Sequence, residues 1–262
     1  MIGAKDKYAL VTGASSGIGY ELAKLLAKEG KDIVVVARSR DRLDDLKSEI
    51  ENKRGAKVKV LAKDLSNRES PFEIFTELER EGICIDVLVN NAGFCVYGKF
   101  SETELQKELE MIQVNAISLI HLTKLFLPGM LKNESGYILN VASLCAFFTV
   151  PLESIYCGTK ALVLHFSEAL ANELQGTGVR VTCLCPGLAK TLFHKRANME
   201  NTIVAKRKMM DAATVAQAGL EALRQGKGIC IPGLQYNAAP LLVRVLPRNI
   251  ITRIMRSQHE CV

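Results

Sequence analysis

The chain has 262 residues, 48% hydrophobic and 24% charged, enough apolar side chain to bury the core of one large α/β domain. Its 34 basic and 28 acidic residues leave a formal charge of +6, which suits anionic ligands and is too weak to argue for nucleic acid. Eight cysteines include no CxxC pair, the nearest spacing being Cys183-x-Cys185, which points to reduced thiols and a cytoplasmic setting.

The opening MIGAKDKYALVTG carries no secretory signal, and the apolar run ISLIHLTKLFLPGML is broken by His121 and Lys124, short of the ~18 residues of a spanning helix. A soluble protein is the expectation. In chain order, YALVTG, DIVVVAR, VKVLAKD, DVLVNNAG, GYILNVAS, VRVTCLCPG and KGICIPG read as strands. Helix-length stretches separate the first six, starting near Gly17, Asp41, Ser70, Ser101 and Tyr156, and AATVAQAGLEALRQG precedes the seventh. This alternation predicts a doubly wound (Rossmann) α/β fold, a parallel seven-stranded sheet with helices on both faces. One domain over residues 1–262 is expected, with its core at about 8–231. Two segments stand outside the alternation: the basic stretch 190–208 and a tail, 232–262.

Three local patterns carry chemistry. TGASSGIG follows the first strand and opens the first helix; Gly13, Gly17 and Gly19 allow a tight turn and close approach of backbone amides to a pyrophosphate. The spacing differs from GxGxxG, and an ordinary glycine-rich turn would look similar. At the exit of the second strand, Ala37, Arg38 and Ser39 stand where an acid would otherwise hold the adenosine ribose. Arg38 can pair with a 2′-phosphate that an acid would repel, so NADP(H) is favoured over NAD(H). Finally, Tyr156 and Lys160 lie four apart, on one helix face. A lysine ammonium near the phenol would lower its pKa toward the working range, although a half-buried ring beside a solvated lysine gives the same pattern.

TGASSGIG at 12–19, Asp64-Leu65, NNAG at 90–93, Asn115, Ser143, Tyr156-x-x-x-Lys160 and PGLAKT at 186–191, in this order, resemble the short-chain dehydrogenase/reductase family from about Tyr8 to Ile231. The resemblance implies that Tyr156 exchanges a proton with the substrate oxygen, that Lys160 tunes it and holds ribose hydroxyls, and that Ser143 hydrogen-bonds the same oxygen. It implies a water kept by Asn115, and hydride transfer supplied by the cofactor. It further implies that Ser15, Ser16 and Ile18 belong to the cofactor cradle, with Asp64 and Leu65 at adenine and Asn91, Ala92 and Gly93 along the ribose. Pro186, Gly187, Leu188 and Thr191 would border the nicotinamide and phosphates. Cys157 and Gly158 replace the serines that members often carry between the tyrosine and lysine, a departure that leaves the catalytic positions intact.

Substrate is expected among Phe94, Cys95, Cys145, Leu152 and Glu153, a largely apolar set that favours a hydrophobic carbonyl or alcohol. No metal is expected, since His121, His165, His194 and His259 have no ligand spacing with the cysteines; the first two read as core or interface residues. In the family, residues 190–208 correspond to a substrate lid, here either a solvated basic face or a dock for a CoA or carrier phosphate. The tail sequence PRNIITRIMRS predicts an amphipathic helix with Ile250, Ile251, Ile254 and Met255 on one side. It is expected to pack on the chain or a second subunit, with an anionic membrane surface the alternative. The expected function is NADP(H)-dependent interconversion of a hydrophobic ketone or aldehyde, or a 3-oxoacyl thioester, with its alcohol, by a homodimer or homotetramer. The alternative is an idle NADP-binding regulatory or scaffold protein.

Overall fold

A computed structural model describes residues 7–260; residues 1–6 of the expected domain and 261–262 of the tail lie outside the described residues. Five βα units open the chain: β1 (Lys7–Thr12), α1 (Gly17–Lys28), β2 (Asp32–Ala37), α2 (Arg40–Arg54), β3 (Val58–Ala62), α3 (Ser70–Arg80) and β4 (Cys84–Asn90), then α4 (Leu105–Ile112) and α5 (Ser118–Lys132), β5 (Gly136–Val141) and α6 (Ser154–Glu173). β6 (Val179–Leu184), β7 (Ala189–Lys190), α7 (Phe193–Arg196), β8 (Met210–Asp211), α8 (Ala212–Arg224) and β9 (Ile229–Cys230) follow, and α9 (Ala239–Val245) and α10 (Arg248–His259) form the tail.

The main sheet is parallel throughout, in the order β3-β2-β1-β4-β5-β6-β9. Alternation within each strand divides the core. Val11, Ile33, Val35, Val89 and Leu139 face Leu22, Leu26, Leu46 and Leu220 of α1, α2 and α8. Leu10, Val34, Val36, Leu88 and Ile138 face Ile74, Leu78, Leu122, Phe126 and Leu170 of α3, α5 and α6. Each such side chain, fully buried, contributes about 1.5–3 kcal/mol relative to exposure. The strand order reverses between β1 and β4, so the crevice for a ligand opens at the carboxyl ends of these strands.

Two boundaries differ from expectation. The helix expected near Ser101 begins at Leu105, because residues 99–103 close a turn in which Thr103 N–H donates to the Lys99 carbonyl at 3.1 Å. A π-helical turn, Gln113–Ile117, joins α4 to α5, making Leu105–Lys132 one helical stretch long and apolar enough to span a membrane by length and composition. Counting the uninterrupted run alone missed it. In the fold, Leu119, Leu122, Phe126 and Met130 of this stretch are buried in the protein's own core.

Candidate active site

One cavity of about 660 Å3 runs along the carboxyl ends of the strands, from Arg38 past Gly13 and Tyr156 to Met255. At its middle, Gly13 and Gly17 sit in the left-handed region (φ 67° and 62°), which lets the chain turn sharply from β1 into α1. Gly13 N–H donates to the Val36 carbonyl at 2.8 Å, tying the turn to β2. The Asn91 Nδ2 donates to the carbonyls of Thr12 (2.9 Å) and Gly13 (3.3 Å), tying it also to β4. Ser16 stands at the N-cap of α1 and makes no side-chain cap, so the amides of the first turn are left for an incoming anion.

Tyr156 and Lys160 project from the first turns of α6, and both are buried. Lys160 Nζ donates to the Val141 carbonyl at 2.9 Å and lies 5.7 Å from the Tyr156 ring centroid. Ser143 begins a 3-10 turn just beyond β5; its Oγ accepts from Cys145 N–H at 3.3 Å, leaving the hydroxyl proton free to donate. Asn115 occupies the π-helical turn, where the widened turn redirects its side chain. Its Oδ1 accepts from Phe94 N–H at 3.0 Å, and its Nδ2 donates to the Phe94 carbonyl at 2.9 Å and to Thr159 Oγ1 at 3.2 Å. A Cβ on Gly93 would come within 3.1 Å of Asn115 Oδ1 and 3.3 Å of Lys160 Nζ, so a larger residue would press on both groups.

The model for short chain dehydrogenase matches residues 7–202. The chain belongs to the short-chain dehydrogenase family. This dehydrogenase is 35% identical over 269 residues to a very-long-chain 3-oxoacyl-CoA reductase of Pyrenophora tritici-repentis, covering 98% of the chain and 78% of that enzyme. Among solved structures it resembles a short-chain dehydrogenase from Sphingobium yanoikuyae in complex with NADPH, at 31% identity and TM-score 0.82, over 88% of this chain and 90% of that one. It also resembles the bulky-bulky ketone specific alcohol dehydrogenase from Comamonas testosteroni, at 27% identity and TM-score 0.77, over 94% and 96%. The protein is therefore an oxidoreductase of CH–OH/C=O groups that uses a nicotinamide dinucleotide, and the uncapped α1 terminus with its left-handed glycines fits that group.

The cavity of this dehydrogenase gathers most of the residues singled out in the sequence. Gly13, Ser15, Ser16, Gly17, Ile18, Arg38, Ser39, Asp64, Leu65, Asn91, Ala92 and Gly93 line one part of it. Phe94, Ser143, Cys145, Glu153, Tyr156, Lys160, Pro186, Gly187, Leu188 and Thr191 line the rest. Four expected residues do not reach the wall. Gly19 is buried against the Gly13 carbonyl and the Asn91 amide, a packing position. Asn115 is buried behind Phe94 and Thr159. Cys95 is enclosed in the apolar cluster behind the wall. Leu152 takes a left-handed backbone (φ 72°), and its carbonyl accepts from Gly98 N–H at 2.9 Å. Asp64 spends one carboxylate oxygen on Ser66 N–H at 2.9 Å.

The expected lowering of the Tyr156 pKa by Lys160 is absent from the protein alone. Burial pushes the phenol well above its usual range, with Cys145, Cys95 and Glu153 acting in the same direction. Burial also pushes the Lys160 ammonium down, and its Nζ donates to the Val141 carbonyl.

Sequence reasoning missed two groups. Arg42 and Arg196 line the cavity with Arg38. Burial lowers the Arg196 guanidinium, and repulsion from Arg42 and Arg38 adds to it. Three crowded guanidiniums fit a polyanionic ligand better than a lone arginine does. The second group is His194, Met255 and His259, which reach the substrate end of the cavity from α7 and α10. The tail helix expected over residues 248–256 is present, but its apolar side is divided. Ile251 and Met255 are partly covered and His259 is buried, an i, i+4, i+8 stripe, whereas Ile250 and Ile254 are 43% and 50% exposed. His165 is exposed, so of the two expected positions, core or interface, it does not take the core one.

Proposed function

We propose that this dehydrogenase uses NADPH to reduce the ketone of a hydrophobic substrate, with 3-oxoacyl thioesters the favoured class, and that it runs the reverse oxidation on the corresponding alcohol. The observation that carries this is the wall around the Tyr156 hydroxyl. Val150, Met199, Val204, Phe148, Phe193 and Met255 line the cavity and share one apolar cluster with Tyr156, the Phe193 ring lying tilted at 51° and 5.4 Å from the Tyr156 ring. The likeness to very-long-chain 3-oxoacyl-CoA reductases supports the thioester class, and the arginine trio supports the 2′-phosphate of NADPH. When bound, the cofactor supplies the hydride. Tyr156 gives its proton to the carbonyl oxygen, Ser143 donates a hydrogen bond to the same oxygen, and Lys160 holds the ribose and balances charge as the phenolate forms. Burial raises the Tyr156 pKa and so favours the protonated form that reduction needs.

An idle scaffold with the same fold is the second reading, and a buried proton donor beside a buried lysine is chemistry that a scaffold does not require. Exposed Leu105, Leu109, Ile117 and Leu162 on α4–α6 support association between copies, and the seven free thiols among the described residues support a reducing, cytoplasmic setting. The test is NADPH oxidation over a panel of 3-oxoacyl thioesters and hydrophobic ketones, for the unmodified protein and Tyr156→Phe. Turnover should fall by about 100-fold or more in the variant, with NADPH affinity within about twofold. A variant that keeps near-normal kcat refutes the proton assignment, and an unmodified protein inert to the whole panel refutes the function.

A further inference from the structure

The substrate end of the cavity is apolar except at one place. Glu153 is 5% exposed, yet its carboxyl has no hydrogen bond among the described residues. It stands at the N-cap of α6 and does not cap that helix, the usual use of an acid there. Its nearest polar neighbour is His259 Nε2, 3.4 Å from Oε1. The Nδ1 of His259 faces the Met255 carbonyl at 2.8 Å and must carry the ring proton, which leaves Nε2 as a lone pair in the neutral ring. His194, on α7, has a buried Nδ1 with no partner. All three residues line the cavity that holds Tyr156.

A buried ring nitrogen without a partner among the described residues, beside a buried carboxyl and a buried imidazole on the same cavity, is an arrangement that a ligand completes. We propose that Glu153, His194 and His259 form a polar subsite that hydrogen-bonds a second, neutral oxygen of the substrate, in addition to the carbonyl that is reduced. This rests on the carbonyl-reductase reading above.

Three features define the oxygen. It is neutral, because burial holds the Glu153 carboxyl up at about 7 and both imidazoles low, so the subsite carries little positive charge for a carboxylate or phosphate. It lies close to the reacting carbon, because Glu153 at the N-cap of α6 is near enough to Tyr156 to act on its phenol. The Tyr156, Phe193 and His194 rings also follow one another at 5.4 and 5.7 Å. It is a carbonyl or hydroxyl, because a protonated Glu153 and a neutral His194 offer one donor and one acceptor apiece. The carbonyl of a 3-oxoacyl thioester, two bonds from the ketone, meets all three requirements.

The subsite exists because α10 is fastened in place. Tyr97 Oη donates to the His259 carbonyl, Arg207 donates to Gln258 Oε1, and Thr149 and Thr252 share a hydrogen bond of 2.6 Å. The C-terminal helix is thus a specificity-determining wall of the active site.

The test compares two substrates of equal length, a 3-oxoacyl thioester and the ketone in which a methylene replaces the thioester carbonyl. In the unmodified protein kcat/KM should favour the thioester by about tenfold or more, since a site built to hydrogen-bond a group rejects the analogue lacking it. Glu153→Leu should bring the ratio toward one, Glu153→Gln should keep most of it through the amide donor, and His194→Phe should lower it. A merely structural role would scale both substrates equally and leave the ratio unmoved. A ratio below about twofold in the unmodified protein, or one unchanged in both Glu153→Leu and His194→Phe, overturns the subsite and leaves carbonyl reduction standing. Absence of turnover with either substrate overturns the reduction, and the subsite with it.

Discussion

Replacing Gly19 by alanine isolates how the cofactor turn is held. Gly19 lies in the first turn of α1 without a left-handed backbone, so alanine meets no conformational strain there and gains about 1 kcal/mol in helix propensity. The added Cβ, however, would stand 2.6 Å from the Gly13 carbonyl oxygen and closer still to Asn91 Nδ2. Neither neighbour yields easily. One is backbone, and the other is held by the Thr12 and Gly13 carbonyls. Overpacking costs about 1–3 kcal/mol, and the two hydrogen bonds of Asn91 are worth about 0.5–1.5 kcal/mol each. The net loss is then about 1–5 kcal/mol, or roughly 2–20 °C in Tm for a domain of this size. Displacing Asn91 also moves the glycine turn, so NADPH affinity should fall by about tenfold or more. Gly158→Ala is the control: that glycine is mid-helix in α6 with nothing within 4 Å of its would-be Cβ, and alanine should stabilise by up to about 1 kcal/mol. Thermal unfolding of both variants, with NADPH fluorescence titration, decides the matter. A Gly19→Ala protein within about 2 °C of the parent and with unchanged NADPH affinity would refute the reasoning.

Arg196→Ala and Arg42→Ala should each weaken NADPH binding by about 5–50-fold while leaving NADH within about twofold, read by parallel titrations; equal losses for both cofactors would remove the 2′-phosphate from the argument. Glu153→Gln should raise stability more at pH 8 than at pH 5. The folded carboxyl titrates near 7, above its unfolded range, so the native state binds the extra proton between them and stability falls as pH rises through that window. The facing groups add no opposing charge, since burial raises Tyr156 and Cys95 and lowers His259, leaving each neutral near pH 7. The difference should amount to a few kcal/mol at most, measured as urea unfolding at the two pH values, and a pH-independent gain would show that the carboxyl is not charged when buried.

The seven main strands were legible because a buried parallel strand is a short run of Val, Ile and Leu bounded by turn residues, and a run such as Ile33, Val34, Val35 and Val36 satisfies both faces at once. The gathering of Ser143, Tyr156, Lys160 and the glycine turn on one cavity was legible for a related reason: most of these motifs sit near a strand end, where chain order fixes their place. What stayed hidden arrives from segments with no strand to anchor them. Arg196 and His194 read as part of a basic stretch, a solvated face or a phosphate dock, and His259 as a ring without ligand spacing to the cysteines. Nothing in local spacing tells that His259 meets Glu153, 106 positions earlier, because the contact depends on how α10 returns across the mouth of the cavity. The division of the tail's apolar side was equally hidden, since the pattern of Ile250, Ile251, Ile254 and Met255 defines a stripe and not which half of it is covered.

The single turn of α7 touches both ends of the cavity. Phe193 lies against Tyr156, His194 reaches the Met255 end, and Arg196 reaches the arginines beside β2. The three side chains share one helix of four residues, so a ligand that displaced Arg196 would bear on Phe193 and His194 through that segment. Linkage makes any coupling through that segment reciprocal: whatever factor a bound dinucleotide contributes to substrate affinity, bound substrate returns to the dinucleotide.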